Sequence, residues 1–163
     1  MKKLLLPILS LIFFFVACAD TARYTTLNFH SVAFTADITY GNERVCAECS
    51  VDNNRNFTAT IISPENLRGI SIITGNSGMS LIFDNMEIKY IPLFSGESPI
   101  ELLKEIISLT DGRRFSCTGN NGLLTGTLGD NEYKLTAAPT GLPITFEIAK
   151  LNLKILFKDI TVI

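Results

Sequence analysis

The chain has 163 residues, 47% of them hydrophobic, which is one domain's length and enough to bury a sizeable core. Its 14 basic and 16 acidic side chains nearly cancel, at a formal charge of −2. They are dispersed along the chain, so there is no basic patch for phosphates and nucleic acid is not an expected partner.

Met1-Lys2-Lys3 opens the chain, an apolar run follows from Leu4 to Val16, and Ala17-Cys18 closes it. The run is shorter than the roughly 20 apolar residues of a membrane span. A positive start, a short apolar stretch and a small residue before the break have the layout of a secretory signal peptide. An uncleaved membrane helix is the alternative, but Pro7 and the abrupt polar change at Asp20 argue against it. Phe15-Val16-Ala17-Cys18 resembles the lipobox of bacterial lipoproteins. The resemblance implies that residues 1–17 are removed and that Cys18 carries a diacylglyceryl group, with palmitate-like acyl chains. Each buried acyl CH₂ contributes roughly 0.8 kcal/mol, and two or more chains hold a protein stably on a bilayer. The expected location is extracytoplasmic, anchored to a bacterial membrane through Cys18. Without Lys2 and Lys3 the balance is 12 basic against 16 acidic, or −4. No later apolar run is long enough to cross a membrane.

Residues 18–28 are polar and short-sided and read as a tether, with the folded domain over 29–163. From there period-two alternation dominates. Phe34, Ala36, Ile38 and Tyr40 alternate with Thr35, Asp37 and Thr39, and Gly41-Asn42 turns the chain. Val45, Ala47, Cys49 and Val51 alternate with polar residues up to Asp52-Asn53-Asn54, and Phe57, Ala59 and Ile61 continue the pattern. These segments predict an antiparallel meander. Pro64 and Gly69 bracket a loop or single helical turn. Ile70 to Thr74, then Met79, Leu81 and Phe83, then Glu87 to Ile91 predict further strands, with turns at Asn76-Ser77-Gly78 and Asp84-Asn85.

One helix is predicted over 98–111. Ser98-Pro99-Ile100-Glu101 is a capping box with proline at the first helical position, and Asp111-Gly112 stops the helix. Leu102, Ile106 and Leu109 form an apolar stripe that Leu103 and Ile107 widen, a face that must pack on something. Strands resume at Arg113 to Thr118, Leu123 to Leu128 and Glu132 to Ala137, with turns at Gly119-Asn120-Asn121-Gly122 and Gly129-Asp130-Asn131. Ile144, Phe146 and Ile148, then Leu151, Leu153, Ile155 and Phe157, supply the last alternating runs.

The expected fold is mainly β (α+β): a curved antiparallel sheet, an incomplete β-barrel of about ten to eleven strands, wrapped on one principal helix. The Phe34-Thr35-Ala36-Asp37-Ile38-Thr39-Tyr40 opening and the Ser63-Pro64-Glu65-Asn66-Leu67-Arg68-Gly69 segment are two marks of a family resemblance. The capped helix from Ser98 and the closing Gly141-Leu142-Pro143-Ile144 and Leu153 to Asp159 runs complete it. In this order they resemble the LolA/LolB-like half-barrel envelope proteins. The resemblance implies a concave face that holds acyl chains of lipids or lipoproteins.

No catalytic constellation stands out. His30 has no local triad partner, and Asp37 and Glu48 fall on the expected solvent face. No cofactor or metal is expected: His30 is the sole histidine and a second Cys-x-x-Cys is lacking. Cys46, Cys49 and Cys117 are open to three readings: buried or half-buried strand cysteines, a disulfide from Cys117 to one of the others, or redox chemistry at Cys46-Ala47-Glu48-Cys49. The functional expectation is a non-enzymatic binder of a hydrophobic ligand. Its wall would be Phe34, Ile38, Tyr40, Phe57, Ile61, Leu81, Phe83, Phe146, Ile155 and Phe157, with Leu103 and Ile107 as a lid. Plain core packing is the competing reading of each of these residues. The alternative function is a lipid-tethered interaction module with a filled core. It would meet an envelope protein through the loop Tyr90-Ile91-Pro92-Leu93-Phe94.

Overall fold

A computed structural model describes residues 23–75, 78–84, 86–89, 99–118 and 121–163. The signal peptide, Cys18, the turns at 76–77, 85 and 119–120, the Tyr90 to Phe94 loop and the Ser98 cap lie outside the described residues.

Seven strands precede the helix: β1 (Arg23–Thr26), β2 (Val32–Tyr40), β3 (Glu43–Val51), β4 (Phe57–Ser63), β5 (Ser71–Gly75), β6 (Gly78–Phe83) and β7 (Met86–Lys89). Helix α1 is Pro99–Thr110. Then come β8 (Arg114–Thr118), β9 (Asn121–Leu128), β10 (Asn131–Ala137), β11 (Pro143–Ile148) and β12 (Leu153–Val162). The Pro64–Gly69 stretch contains a short 3₁₀ turn, Glu65–Leu67. The described strands form one twelve-stranded sheet in the order β1-β8-β9-β10-β11-β12-β2-β3-β4-β5-β6-β7. It is curved and not closed into a barrel.

Two meanders build it, β2 to β7 and β8 to β12. They join where β12 runs antiparallel to β2, with Ile155 opposite Ile38 and Phe157 opposite Ala36. The ladder shifts register between Lys158 and Thr161, next to Asp159 at φ 51°, a bulge that bends the strand. On β9 the core-facing positions include Gly122 and Gly126. A Cβ on Gly126 would lie 2.6 Å from the Tyr133 hydroxyl, and one on Gly122 would lie 2.3 Å from the Phe115 ring. Both glycines are required by these close approaches.

The apolar face of the sheet closes on α1. Ile100, Leu102, Leu103, Ile106 and Ile107 join one cluster with Phe34 and Ile38 of β2, Phe146 of β11 and Ile155 and Phe157 of β12. Phe34 and Phe157 lie 5.5 Å apart between ring centroids, and Phe29 lies 5.9 Å from Phe157. Tyr133 stacks on Phe146 at 5.2 Å. These separations are in the range where aromatic pairs contribute beyond buried area.

The sheet is the curved half-barrel expected from sequence, and its twelfth strand, β1, lies inside the stretch 18–28 expected as a tether. Arg23–Thr26 is a strand, pairing Tyr24 with Ser116 and Thr25 with Phe115. Leu27 behind it is buried to 1%. Tyr24-Thr25-Thr26 has good β-propensity but is too short to display alternation. It forms because β8 offers an edge. The link to β2 is then sewn to the end of α1. Leu27 N–H donates to Arg113 O at 2.9 Å, Gly112 N–H donates to Leu27 O at 2.9 Å, and Phe29 N–H donates to the Asp111 carboxylate at 3.0 Å.

On the outer face, Asp37 is not the free solvent-face carboxylate expected from alternation. It is buried beneath two cations. Arg44 forks onto it, Nε at 2.9 Å and Nη2 at 2.6 Å, and Lys158 Nζ lies at 3.0 Å. The Arg44 hydrogen bonds, opposed by burial and helped by Lys158, hold its carboxyl at about 2 against the ordinary 3.8.

Two predictions follow from this packing. Ile106→Ala, at a fully buried helix position, should lower unfolding stability by about 2–5 kcal/mol in urea titration. The Asp37 cluster should stabilise the fold above pH ~4, where the unfolded carboxyl is also ionised, and its contribution should vanish as pH falls through ~4 towards 2. Arg44 and Lys158 are largely exposed, so solvent screening keeps the contribution modest. Urea midpoints of wild type and Asp37→Asn should differ at pH 6 and converge near pH 2.

Candidate functional site

The core-facing rows of the sheet continue past the reach of α1. Ala59 on β4 pairs with Ile72, Ile72 with Leu81, and Leu81 with Ile88. One row to one side, Phe57 pairs with Thr74 and Thr74 with Met79; one row to the other side, Phe83 pairs with Met86. These side chains share the face that carries the core, because cross-strand partners point the same way. Burial falls steadily along the rows. Phe57 and Ala59 are buried, and Ile72, Met79 and Leu81 are half-buried. Phe83 is 43% exposed, Ile88 55% and Met86 63%.

The result is an apolar strip over β5, β6 and β7, about three strand spacings or ~14 Å wide measured from β4. The opposite face of β7 carries Glu87 and Lys89, which form an ion pair at 3.7 Å. The strand therefore has the alternation of a half-buried strand, yet all four of its residues are exposed. Among the described residues β7 pairs only with β6, which leaves its other edge at the end of the sheet.

Most of the wall anticipated from sequence lies elsewhere. Phe34, Ile38, Phe57, Ile61, Phe146, Ile155 and Phe157 are buried core side chains. Leu103 and Ile107, expected as a lid, are buried in that same core, Leu103 completely. Tyr40 is half-buried and packs against the cluster. Only Leu81 and Phe83 of that set fall on the strip. Ile72, Met79, Met86 and Ile88 were not singled out by sequence reasoning, although Met86 and Ile88 do alternate with Glu87 and Lys89. His30, which has no local triad partner in the sequence, has its Nε2 at 2.9 Å from the Asp111 carboxylate.

The three described cysteines are free, Cys46 half-buried and Cys49 and Cys117 buried, as the first of the three sequence readings has it. Cys46 lies opposite Asp37 on the outer face, and Cys49 lies opposite Phe34 on the core face. Burial, with Cys46 and Glu48 nearby, pushes the Cys49 thiol up to about 12, and burial raises Cys46 as well. Neither thiol has the lowered pKa of a reactive cysteine. Among the described residues no group of three or more His, Cys, Asp or Glu side chains is placed to hold a metal ion.

No family model matches the chain, and no curated protein matches it. Among solved structures, the chain is similar to a LolA superfamily protein from Nitrosomonas europaea. The two are 11% identical over 89% of this chain and 90% of that one, with a TM-score of 0.39.

The cysteine environment gives a direct check. In the native chain at pH 8, iodoacetamide should leave Cys49 unmodified over a time in which the urea-unfolded chain is fully alkylated. Peptide mass spectrometry reads both. Fast labelling of native Cys49 would contradict its burial.

Proposed function

We propose that this protein is a non-enzymatic, lipid-anchored envelope protein that binds a hydrophobic ligand, a lipid or acyl chain, along the open strip of β5, β6 and β7. The observation that carries the reading is the exposure of Phe83, Met86 and Ile88 on the same face as the core. Leaving that apolar area wet is unfavourable by roughly 25 cal/mol per Å², so a ligand that covers it gains that amount back. Contiguous exposed apolar surface of this kind marks binding sites. The lipobox-like Phe15 to Cys18 segment supports the membrane anchor, and an anchor of this kind would keep the strip close to a supply of acyl chains.

The binding site proposed here is smaller than the wall read from sequence. It keeps Leu81 and Phe83, adds Ile72, Met79, Met86 and Ile88, and leaves the remaining aromatic and aliphatic side chains to the core. A second reading has one observation in its favour. The outer edge of β7 is a template for an added strand, so the same strip would suit a partner protein of the envelope.

Native mass spectrometry of the full chain, purified from membranes into a neutral detergent, tests the first reading. A co-purifying lipid mass is expected for wild type, and its loss for the double variant Phe83→Glu, Ile88→Glu. That variant should stay within about 0.5 kcal/mol of wild-type stability, since both positions are already exposed. A wild-type chain free of lipid, or a lipid adduct that survives the double variant, would refute the ligand reading. A stoichiometric protein adduct would point to the second.

A further inference from the structure

A separate cleft opens where the C-terminal half of α1 faces the β1–β2 link and the turn between β3 and β4. Its volume is about 80 Å³, and its apolar floor includes Phe29, Phe57 and Ile107. His30, Arg55, Lys104 and Asp111 also line it. A water takes about 30 Å³ of liquid and a drug-sized pocket runs from about 300 Å³ upwards. The cleft is therefore too small for an acyl chain and of the right size for one compact polar group.

The charge arrangement says which kind of group. Both oxygens of the one carboxylate are engaged. Asp111 Oδ1 accepts from Phe29 N–H at 3.0 Å, and Oδ2 faces His30 Nε2 at 2.9 Å and Arg55 Nη2 at 3.7 Å. Asp111 thus holds an imidazole and a guanidinium side by side and spends its own charge within the fold. Lys104 has no ion-pair partner among the described residues. With a neutral imidazole the lining still carries one net positive charge, two cations against one carboxylate. The negative end of the α1 dipole opposes an anion here. Three of its last four carbonyls are already taken, however: Ile107 O by Asp111 N–H, Leu109 O by Arg113 Nε and Thr110 O by Arg113 N–H. An apolar floor beneath an exposed Arg55 and a half-buried Lys104 also focuses their field on the opening.

From this geometry we infer that the cleft between α1 and the β3–β4 turn is an oxyanion site, taking a phosphate-sized group between Arg55, Lys104 and His30. The phosphate of a lipid headgroup and free inorganic phosphate present the same chemistry to it. The inference does not depend on the strip binding a lipid tail.

His30 is the sole histidine, so its imidazole resonances report on the cleft without ambiguity. The full chain in neutral detergent would be titrated by NMR with inorganic phosphate, with dihexanoyl phosphatidic acid, and with sodium chloride at matched ionic strength. A saturable His30 shift is expected with both phosphates and not with chloride. Lys104→Gln and Arg55→Gln, both at solvent-accessible positions, should each weaken binding about tenfold while leaving the unliganded fold unchanged by circular dichroism. Tighter binding of the lipid phosphate, by tenfold or more, assigns the site to a headgroup, and equal affinities assign it to the free anion. No saturable shift, an equal response to chloride, or unchanged affinity in the Lys104→Gln and Arg55→Gln variants would overturn the inference. A lipid adduct lost only in the Phe83→Glu, Ile88→Glu variant would leave this site standing.

Discussion

Among the described residues one α-helix has to cover the apolar face of a twelve-stranded sheet, and the rest of the architecture follows from that mismatch. Twelve residues of α-helix at about 1.5 Å each make a rod some 18 Å long and roughly 10 Å across. Twelve strands at about 4.8 Å spacing would spread over roughly 50 Å if the sheet were flat. No flat sheet of that width is covered by such a rod. Curvature resolves most of the conflict, because β2, β11 and β12 then bring their inward side chains against α1 and against one another. Phe34 against Phe157 and Tyr133 against Phe146 are the contacts that replace helix with sheet. What curvature cannot reach is the far end, and there β5, β6 and β7 keep their apolar face open.

The helix is held in place by more than its greasy side. The Leu27 to Phe29 link is fastened to the α1 terminus by backbone bonds to Gly112 and Arg113 and by the Asp111 carboxylate. Phe29 itself enters the core beside Phe34 and Phe157. The same carboxylate faces His30 and Arg55, so one side chain ties together the helix end, the β1–β2 link and the β3–β4 turn. The cleft at that junction is a by-product of the latch. Its cations are placed by structural need, which leaves Lys104 as the member with no structural partner among the described residues.

Alternation and capping made much of this visible in advance. Phe34 to Tyr40, Phe57 to Ile61 and Leu153 to Phe157 announce half-buried strands, and Pro99, the Leu102/Ile106/Leu109 stripe and Asp111-Gly112 delimit the helix to within a residue or two. What a periodic pattern cannot report is what covers each apolar face. Phe34 and Phe83 obey the same rule of two, yet Phe34 is buried and Phe83 lies open. The difference is set by the pairing of β12 with β2, a long-range choice that puts β2 at the middle of the sheet and β6 near its end. The His30–Asp111 contact is hidden for the same reason, since it exists only once the N-terminal link has crossed to the end of α1. β1 is missed on other grounds: four residues are too few to show a period, and their pairing depends on the edge that β8 supplies.

The strip and the cleft meet at one strand. Phe57 forms part of the cleft floor, and through its pairing with Thr74 and on to Met79 it begins the first row of the strip. On the proposed reading, an amphiphile lying along that row would place an apolar tail over β5 and β6 and its charged end towards the cleft that Phe57 shares with Arg55 and Lys104. The two contributions differ in kind. Apolar burial on the strip is non-directional and sets strength through area. On that reading the cleft would add little area but would fix which end of the molecule goes where, because a charged group left over the strip would lose its hydration without gaining a partner. In the proposed arrangement, a sheet too wide for its helix would supply the adhesive surface, and the latch that holds the helix would supply the direction.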